Sequence, residues 1–471
     1  MKKTPSTCTR QLRALDKKRV WHPFTQMSEW LKSDNLVIDR GAGNYLFDTD
    51  GNRYFDGTSS LWVIVHGHGK KEINDALKAQ VDKVAHSTLL GLANAPSIEL
   101  AEKLVKMAPA GLEKVFYSDS GSTAVEIALK MAFQYFRQRG KGEAGKEKFI
   151  SFTGAYHGDT IGAMAVGDID VFVKKFSPLM KRHFRAPYPY CYRCPLRKTH
   201  PSCGLACAGE FEKILRKNHG NIAACIIEPL VQGAAGMVTA PRGFLKEVRR
   251  LTKKYDVLLI ADEVATGFGR TGRMFACEHE GVAPDIICLG KGLTGGYLPL
   301  AATLATDEIF SAFLGRYDEF RTFFHGHTYA GNPLACSAAM ANMDVFKNER
   351  VIDRLKPKAR LFKKLVKNLK DLDLVGDARV QGLMAGVEIV EDKETKRRFA
   401  PSRRFAHGIC LALRERGLIV RPIGDTIILM PPLSSTESEL EWMVGILDRE
   451  LTKACIFTGT WSNITMHGRR A

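Results

Sequence analysis

The sequence predicts an α/β protein, with a large domain on a mostly parallel sheet and a smaller α+β unit. Three observations carry this. Apolar runs alternate with helical patterns four or five times across residues 115–304, the order expected of a parallel sheet with helices on both faces. The runs at 223–227, 257–261 and 286–289 are apolar at every position, as in strands buried on both sides. Beyond residue 383 the pattern restarts, with strands at 383–390, 418–421 and 426–430 and helices at 403–416 and 436–453.

A chain of 471 residues is too long for one small core. With 45% apolar and 25% charged residues it has an ordinary globular composition. No run approaches the ~18 apolar residues of a membrane span, and the basic start, MKKTPSTCTRQLRALDKKRV, lacks the apolar core of a secretory signal. A cytoplasmic protein is expected. The net charge is +18, with basic clusters at 181–185 and 393–404. Most Lys and Arg, however, are interleaved with apolar residues along helical stretches such as 354–370, the pattern of solvated helix faces. That argues against a nucleic-acid binder, while the positive field would attract anionic substrates. The eleven cysteines read as reduced thiols.

Taken in order, residues 36–56 predict a β-hairpin, with Tyr45–Phe47 and Tyr54–Phe55 flanking the turn signal Asp50-Gly51. The run GTSSLWVIVHGHG (57–69) ends on His66 and His68, which lack a nearby carboxylate and make a poor metal site. Helices are expected at 72–84 and 97–108. At 115–138 a strand passes through Ser118-Asp-Ser-Gly-Ser-Thr123 into a helix, with Thr123 and Glu126 fitting a capping box. Such a junction offers free N–H groups, hydroxyls and the positive dipole end to an anion; it equally fits a well-capped helix. A Gly/Lys-rich loop (139–147) leads to a strand at 148–152 and then to Tyr156 and His157, where an aromatic can stack on a flat heterocycle or pack at a loop base.

The segment CYRCPLRKTHPSCGLACAGE places Cys191, Cys194, Cys203 and Cys207 at spacings compatible with a structural zinc site; free thiols in a surface loop are the favoured reading. A strand ending on Glu228-Pro229, with Gln232 beyond it, and a helix at 243–255 lead into residues 257–291. There one strand ends on Asp262-Glu263 and the next on Gly290-Lys291, aiming a carboxylate and an amine into one crevice outside the carboxyl ends of the strands. The pair fits a buried structural ion pair. It also fits an aldehyde cofactor such as pyridoxal 5′-phosphate (PLP), whose aldehyde condenses with lysine and whose ring nitrogen needs an aspartate. Gly267-Phe-Gly269-Arg-Thr-Gly272 imitates a dinucleotide fingerprint, but neither an amphipathic helix nor an acidic strand end comes after it. Residues 323–333 form a loop, a helix runs to about 347, and a basic helix at 350–371 links to the C-terminal unit.

Together, DSGSTAVEIALKMA, GAYHGDT, IIEPLVQGAAGM, ADEVATGFGRTG, CLGKGLTGG, HGHTYAGNP and RPIGDTIILMPP resemble the class III, fold-type I PLP aminotransferases, over nearly the whole chain from WHPFTQM (21–27) onward. The resemblance implies a mostly parallel seven-stranded sheet in a large domain (71–347), and a small domain drawn from both chain ends (1–70 and 348–471). It implies a homodimer with shared active sites. Lys291 would anchor the cofactor and shuttle the proton, Asp262 would pair with the pyridinium, and Gly121 and Ser122 would take the phosphate. His327 and Thr328 would reach the phosphate from the neighbouring subunit. Tyr156 would cover the ring and Gln232 approach its hydroxyl. Phe24, Leu61, Trp62, Tyr156, Lys291 and Gly326 would line the substrate pocket, and Arg421 would clamp a distal carboxylate.

Within the class, WHPFTQM, SSLWVIVHGH, TGFGRTGRMFACEHE and RPIGDTIILMPP are most similar to the branch that converts 8-amino-7-oxononanoate to 7,8-diaminononanoate in biotin biosynthesis, with S-adenosylmethionine or lysine as amino donor. The alternative is another ω-aminotransferase acting on the terminal amine of a diamine or ω-amino acid. Many members carry tyrosine at the position of Phe24 and paired tryptophans at Leu61-Trp62, two departures that bear on the donor.

Overall fold

Seven short strands pair into one sheet in the order Leu112–Ser118, Ala301–Thr306, Ile286–Leu289, Leu258–Asp262, Ile222–Ile227, Lys148–Phe152, Phe184–Ala186. Only Ala301–Thr306 runs antiparallel to its neighbours. The structure, a computed structural model, describes residues 5–139 and 145–465, so most of the Gly/Lys-rich loop expected at 139–147 lies outside the described residues.

The continuous apolar runs reflect the period of two along a strand. Ile226, Ile260 and Ile286 pack with Ala124, Val125, Ala128 and Phe136 of the helix Gly121–Arg139. Ile227, Ala261 and Ile287 join the other core, with Phe244, Val248 and Leu251 of the helix Phe244–Lys254. Each strand is thus covered on both faces. Two strands escaped sequence reading. AATLAT (301–306) is half alanine, a residue depleted in strands, and is a strand because it is buried between two others. Phe184–Ala186 is a three-residue edge.

The expected capping box is corrected. The helix begins at Gly121, and Ser120 rather than Thr123 precedes it; the Ser120 amide donates to Thr123 Oγ1 at 3.0 Å. Glu126 turns away and accepts from the amides of Gly162 and Ala163 at 2.6 and 3.1 Å, satisfying the first turn of the helix Ile161–Val166. After the GFGRTG segment only a short 3₁₀ turn, Ala276–Glu280, forms.

The hairpin is present as Tyr45–Asp48 against Arg53–Asp56. Leu418–Ile419 adds to it in parallel, so the two chain ends share a sheet. The strand expected at 418–421 breaks at Val420, because Arg421–Ile423 joins a different sheet with Thr426–Leu429, Met384–Ile389 and Val375–Gln381. VGDARVQ (375–381) does not read as a buried strand, yet it is one. Its Arg379 donates to Glu388 at 2.6 Å, to Asp377 at 3.1 Å and to the Gly236 carbonyl at 2.9 Å, and Arg193 and Tyr190 complete the Glu388 carboxylate. This network ties the C-terminal sheet to the large sheet's loops. Glu388→Ala leaves the Arg379 charge buried without its main partner and is expected to cost about 3–5 kcal/mol, read as a lowered midpoint in urea denaturation. Among the described residues no helix is long and apolar enough to cross a membrane.

Candidate active site

The parallel register pairs Asp262 with Cys288, so the chain beyond Leu289 delivers Lys291 beside the Asp262 strand end. Lys291 sits between Gly290 and Gly292 with φ +43°, a left-handed conformation that L-residues seldom adopt and that clusters at functional sites. Its Nζ lies 5.0 Å from the centre of the Trp62 ring. Among the described residues it has no hydrogen-bond or ion-pair partner. Burial lowers the Lys291 pKa, Asp262 and Glu228 oppose that, and the Arg270 cation adds to it. The amine is therefore neutral over a wider pH range than that of a free lysine.

Asp262 is buried, with Oδ2 2.7 Å from His157 Nδ1 and Oδ1 accepting from the Val264 amide at 3.1 Å. The other ring nitrogen of His157 is buried without a partner. Sequence reading noted His157 without assigning it a role; its place just past a strand end was the available signal. Glu228, also missed, is buried and pushed up to about 7 by desolvation, with Asp262 adding and His157 opposing. It accepts from the amides of Tyr156 at 3.1 Å and Gly233 at 2.9 Å.

The helix N-terminus at 121 meets these strand ends directly. A Cβ on Gly121 would stand 2.4 Å from Val264 Cγ1, and one on Gly158 would stand 2.3 Å from Ser122 Oγ. Glycine at both positions allows the close approach that leaves backbone N–H groups facing the cleft. Ser122 Oγ accepts from the Thr160 amide at 3.0 Å. Gln232 is buried and donates to the Thr153 carbonyl at 3.1 Å. Tyr156 donates from its hydroxyl to Asp159 at 2.8 Å, and its ring packs edge-on against Phe172, which in turn meets Phe24.

Lys291, Asp262, Tyr156, Gly121, Ser122, Gln232 and Trp62 thus cluster at the ends of these strands, with Phe24 at the outer edge. His327 bonds Asp119 of the same chain at 2.8 Å, close to the helix start. Gly326, Thr328 and Arg421 are exposed, and among the described residues no hydrogen bond or ion pair joins the Thr328 or Arg421 side chain to the cluster. None of the eleven cysteines is in a disulfide. In the 191–207 loop, burial and the neighbouring thiols raise Cys191, and Cys207 is pushed up to about 11. Among the described residues no group of three or more His, Cys, Asp or Glu is arranged to hold a metal ion. His66 instead meets the Asn342 carbonyl, and His68 meets Asp56.

The family model for aminotransferase class-III matches residues 27–451. The chain is 55% identical to the adenosylmethionine-8-amino-7-oxononanoate aminotransferase of Nitratidesulfovibrio vulgaris, over 93% of this chain and 80% of the relative. It is 51% identical to the protein of the same name from Geobacter sulfurreducens, over 95% and 98%. The crystal structure of that enzyme from Methanocaldococcus jannaschii superposes with a TM-score of 0.90 at 47% identity, over 94% of this chain and 99% of the other. An omega transaminase from Pseudomonas jessenii in complex with PMP matches with TM-score 0.90 at 31% identity, over 95% and 99%. A lysine and an aspartate on adjacent strand ends, a helix N-terminus facing them and likeness over the full length lead to one assignment: the chain belongs to the class-III aminotransferases.

Proposed function

We propose that the protein converts 8-amino-7-oxononanoate to 7,8-diaminononanoate in biotin biosynthesis, using PLP and taking its amino group from S-adenosylmethionine or lysine. The observation that carries the chemistry is the Lys291 amine, unpaired and depressed in basicity, next to Asp262. The relatives' shared name carries the substrate.

The residues present fit the cofactor. Lys291 would hold its aldehyde, Asp262 its ring nitrogen, and the amides and hydroxyl at Gly121 and Ser122 its phosphate. Gln232 would approach the ring hydroxyl, and Tyr156 would cover one face. When bound, PLP supplies an electron sink for the substrate carbon that loses or gains a proton. The rest is done by the chain. Lys291, neutral once freed, takes a proton from that carbon and returns one at the other end of the transfer. Asp262, oriented by its contact with His157 Nδ1 and by the Val264 amide, would present its carboxylate to the ring nitrogen. Phe24, Leu61, Trp62 and Gly326 would bound the substrate channel and exclude water. A homodimer, with His327 and Thr328 serving the neighbouring site, is part of this reading; the exposed apolar side chains of Leu90, Phe324 and Tyr329 would be covered in it. So is the division into a large domain (71–347) and a small one (1–70 with 348–471).

Arg421, exposed and without a carboxylate partner among the described residues, would clamp the distal carboxylate of the oxononanoate. Arg421→Ala is then expected to raise KM for 8-amino-7-oxononanoate roughly 10- to 100-fold, the size of one hydrogen bond to a charged group, and to leave the donor half-reaction unchanged. The function itself is tested by adding S-adenosylmethionine, lysine and ω-amino acids separately and monitoring loss of the aldehyde absorbance. Reaction with ω-amino acids, together with no turnover of 8-amino-7-oxononanoate, would favour another ω-aminotransferase.

A further inference from the structure

Residues 59–62 form one turn of left-handed helix without a glycine: φ is +49° at Ser59, +48° at Ser60, +79° at Leu61 and +72° at Trp62. Each such residue costs free energy, and four in a row persist only where the surroundings dictate them. The restraints are identifiable. Asp56, fully buried, accepts from the Ser60 amide at 2.9 Å and from the Ser60 hydroxyl at 2.6 Å, and the same carboxylate meets His68 Nε2 at 3.0 Å. His68 is itself fixed, because its backbone pairs with Gly43 in both directions and its ring lies where a Cβ on Gly41 would be. Ser59 Oγ donates to the Met430 carbonyl at 2.7 Å. Arg270, buried without a bonded carboxylate, bridges the carbonyls of Ile64 and Pro431 at 2.7 and 2.8 Å.

The turn aims the Trp62 ring at the Lys291 amine, leaves its indole N–H buried without a partner, and sets Leu61, 47% exposed, beside it. We propose that Asp56, steadied by His68, is a positioning residue: it holds the 59–62 turn left-handed so that Leu61 and Trp62 shape the substrate side of the cleft. This accounts for the two histidines without a metal. It rests on the functional reading above for the identity of the substrate and for the place of Leu61 and Trp62 along its channel.

The mechanism predicts coupling between Asp56 and the cost of the turn. Asp56→Asn in the holoenzyme should raise KM for 8-amino-7-oxononanoate about tenfold, with kcat changed much less. Hydrogen exchange of the 57–66 amides should speed up. Glycine adopts the left-handed conformation without penalty, so in a Ser60→Gly background the added effect of Asp56→Asn on both readouts should shrink by at least half. An equal effect in both backgrounds, or unchanged exchange at 57–66, overturns the proposal. If Asp56→Asn does not fold, His68→Gln decides: a smaller rise in KM and in exchange supports the proposal, and no change in either overturns it. The exchange readout needs no substrate. Failure of wild type to turn over 8-amino-7-oxononanoate would therefore count against the functional reading alone.

Discussion

Lys291→Ala is expected to lower turnover by roughly ten-thousandfold, the upper end of what a positioned acid–base group contributes, because one substitution removes both the covalent anchor and the proton carrier. The state of the amine is the reason to expect this. Lys291 sits among buried groups, its pKa is lowered, and no acceptor among the described residues holds it. A lysine kept for stability would instead be paired, since an isolated buried ammonium is costly. Borohydride reduction and subsequent peptide mapping check the assignment. Wild type should carry the pyridoxyl mass on the peptide containing Lys291, and the alanine variant should carry none. Because Lys291 makes no hydrogen bond among the described residues, the variant should unfold within a few degrees of wild type when both lack cofactor. Label on another lysine, or turnover surviving in the variant, would remove the basis for the proposed chemistry.

Asp262→Asn should cost about 3–5 kcal/mol in the transition state, or roughly 10²- to 5 × 10³-fold in kcat. The carboxylate is prepared for a cationic partner by the His157 ring at 2.7 Å and the Val264 amide at 3.1 Å. Asparagine keeps the shape and can accept from Val264, but it presents no charge to a ring nitrogen. A second effect is expected in the cofactor-free protein. Asp262 raises the Lys291 pKa against the effect of burial. Removing its charge lowers that pKa further, so the pH midpoint for acylation of Lys291 should move down. A midpoint that moves up, or kcat within threefold of wild type, would show that Asp262 does not act as the electrostatic partner.

The chemistry-bearing positions were legible because parallel-sheet architecture puts strand ends on one edge. An apolar run ending on Asp262, another leading to Lys291, and a small-residue junction before the helix at 121 locate the cleft before any contact is known. Local sequence also specified the hairpin, through Asp50-Gly51, and argued against a dinucleotide site, through the non-helical residues after Gly272. The partners of those groups were not legible. His157 and Glu228 matter only because the sheet order sets the strand before Glu228 beside that of Asp262 and the strand before His157 one place further out, so that their ends converge.

The fold class, the family and the placement of Asp262 and Lys291 at adjacent strand ends were thus determined by the sequence alone, through hydrophobic period and short-range motif. Tertiary structure alone decided which polar residues are buried and which groups compensate their burial. Arg379 turns an ordinary polar stretch into a buried strand by meeting Glu388, which lies on another strand. Asp56 and Arg270 keep a left-handed turn whose residue types would not choose it. The physical reason is the same in both: hydrophobic burial repeats with the period of the element and is written locally. The satisfaction of a buried charge or a strained backbone depends on groups distant in sequence.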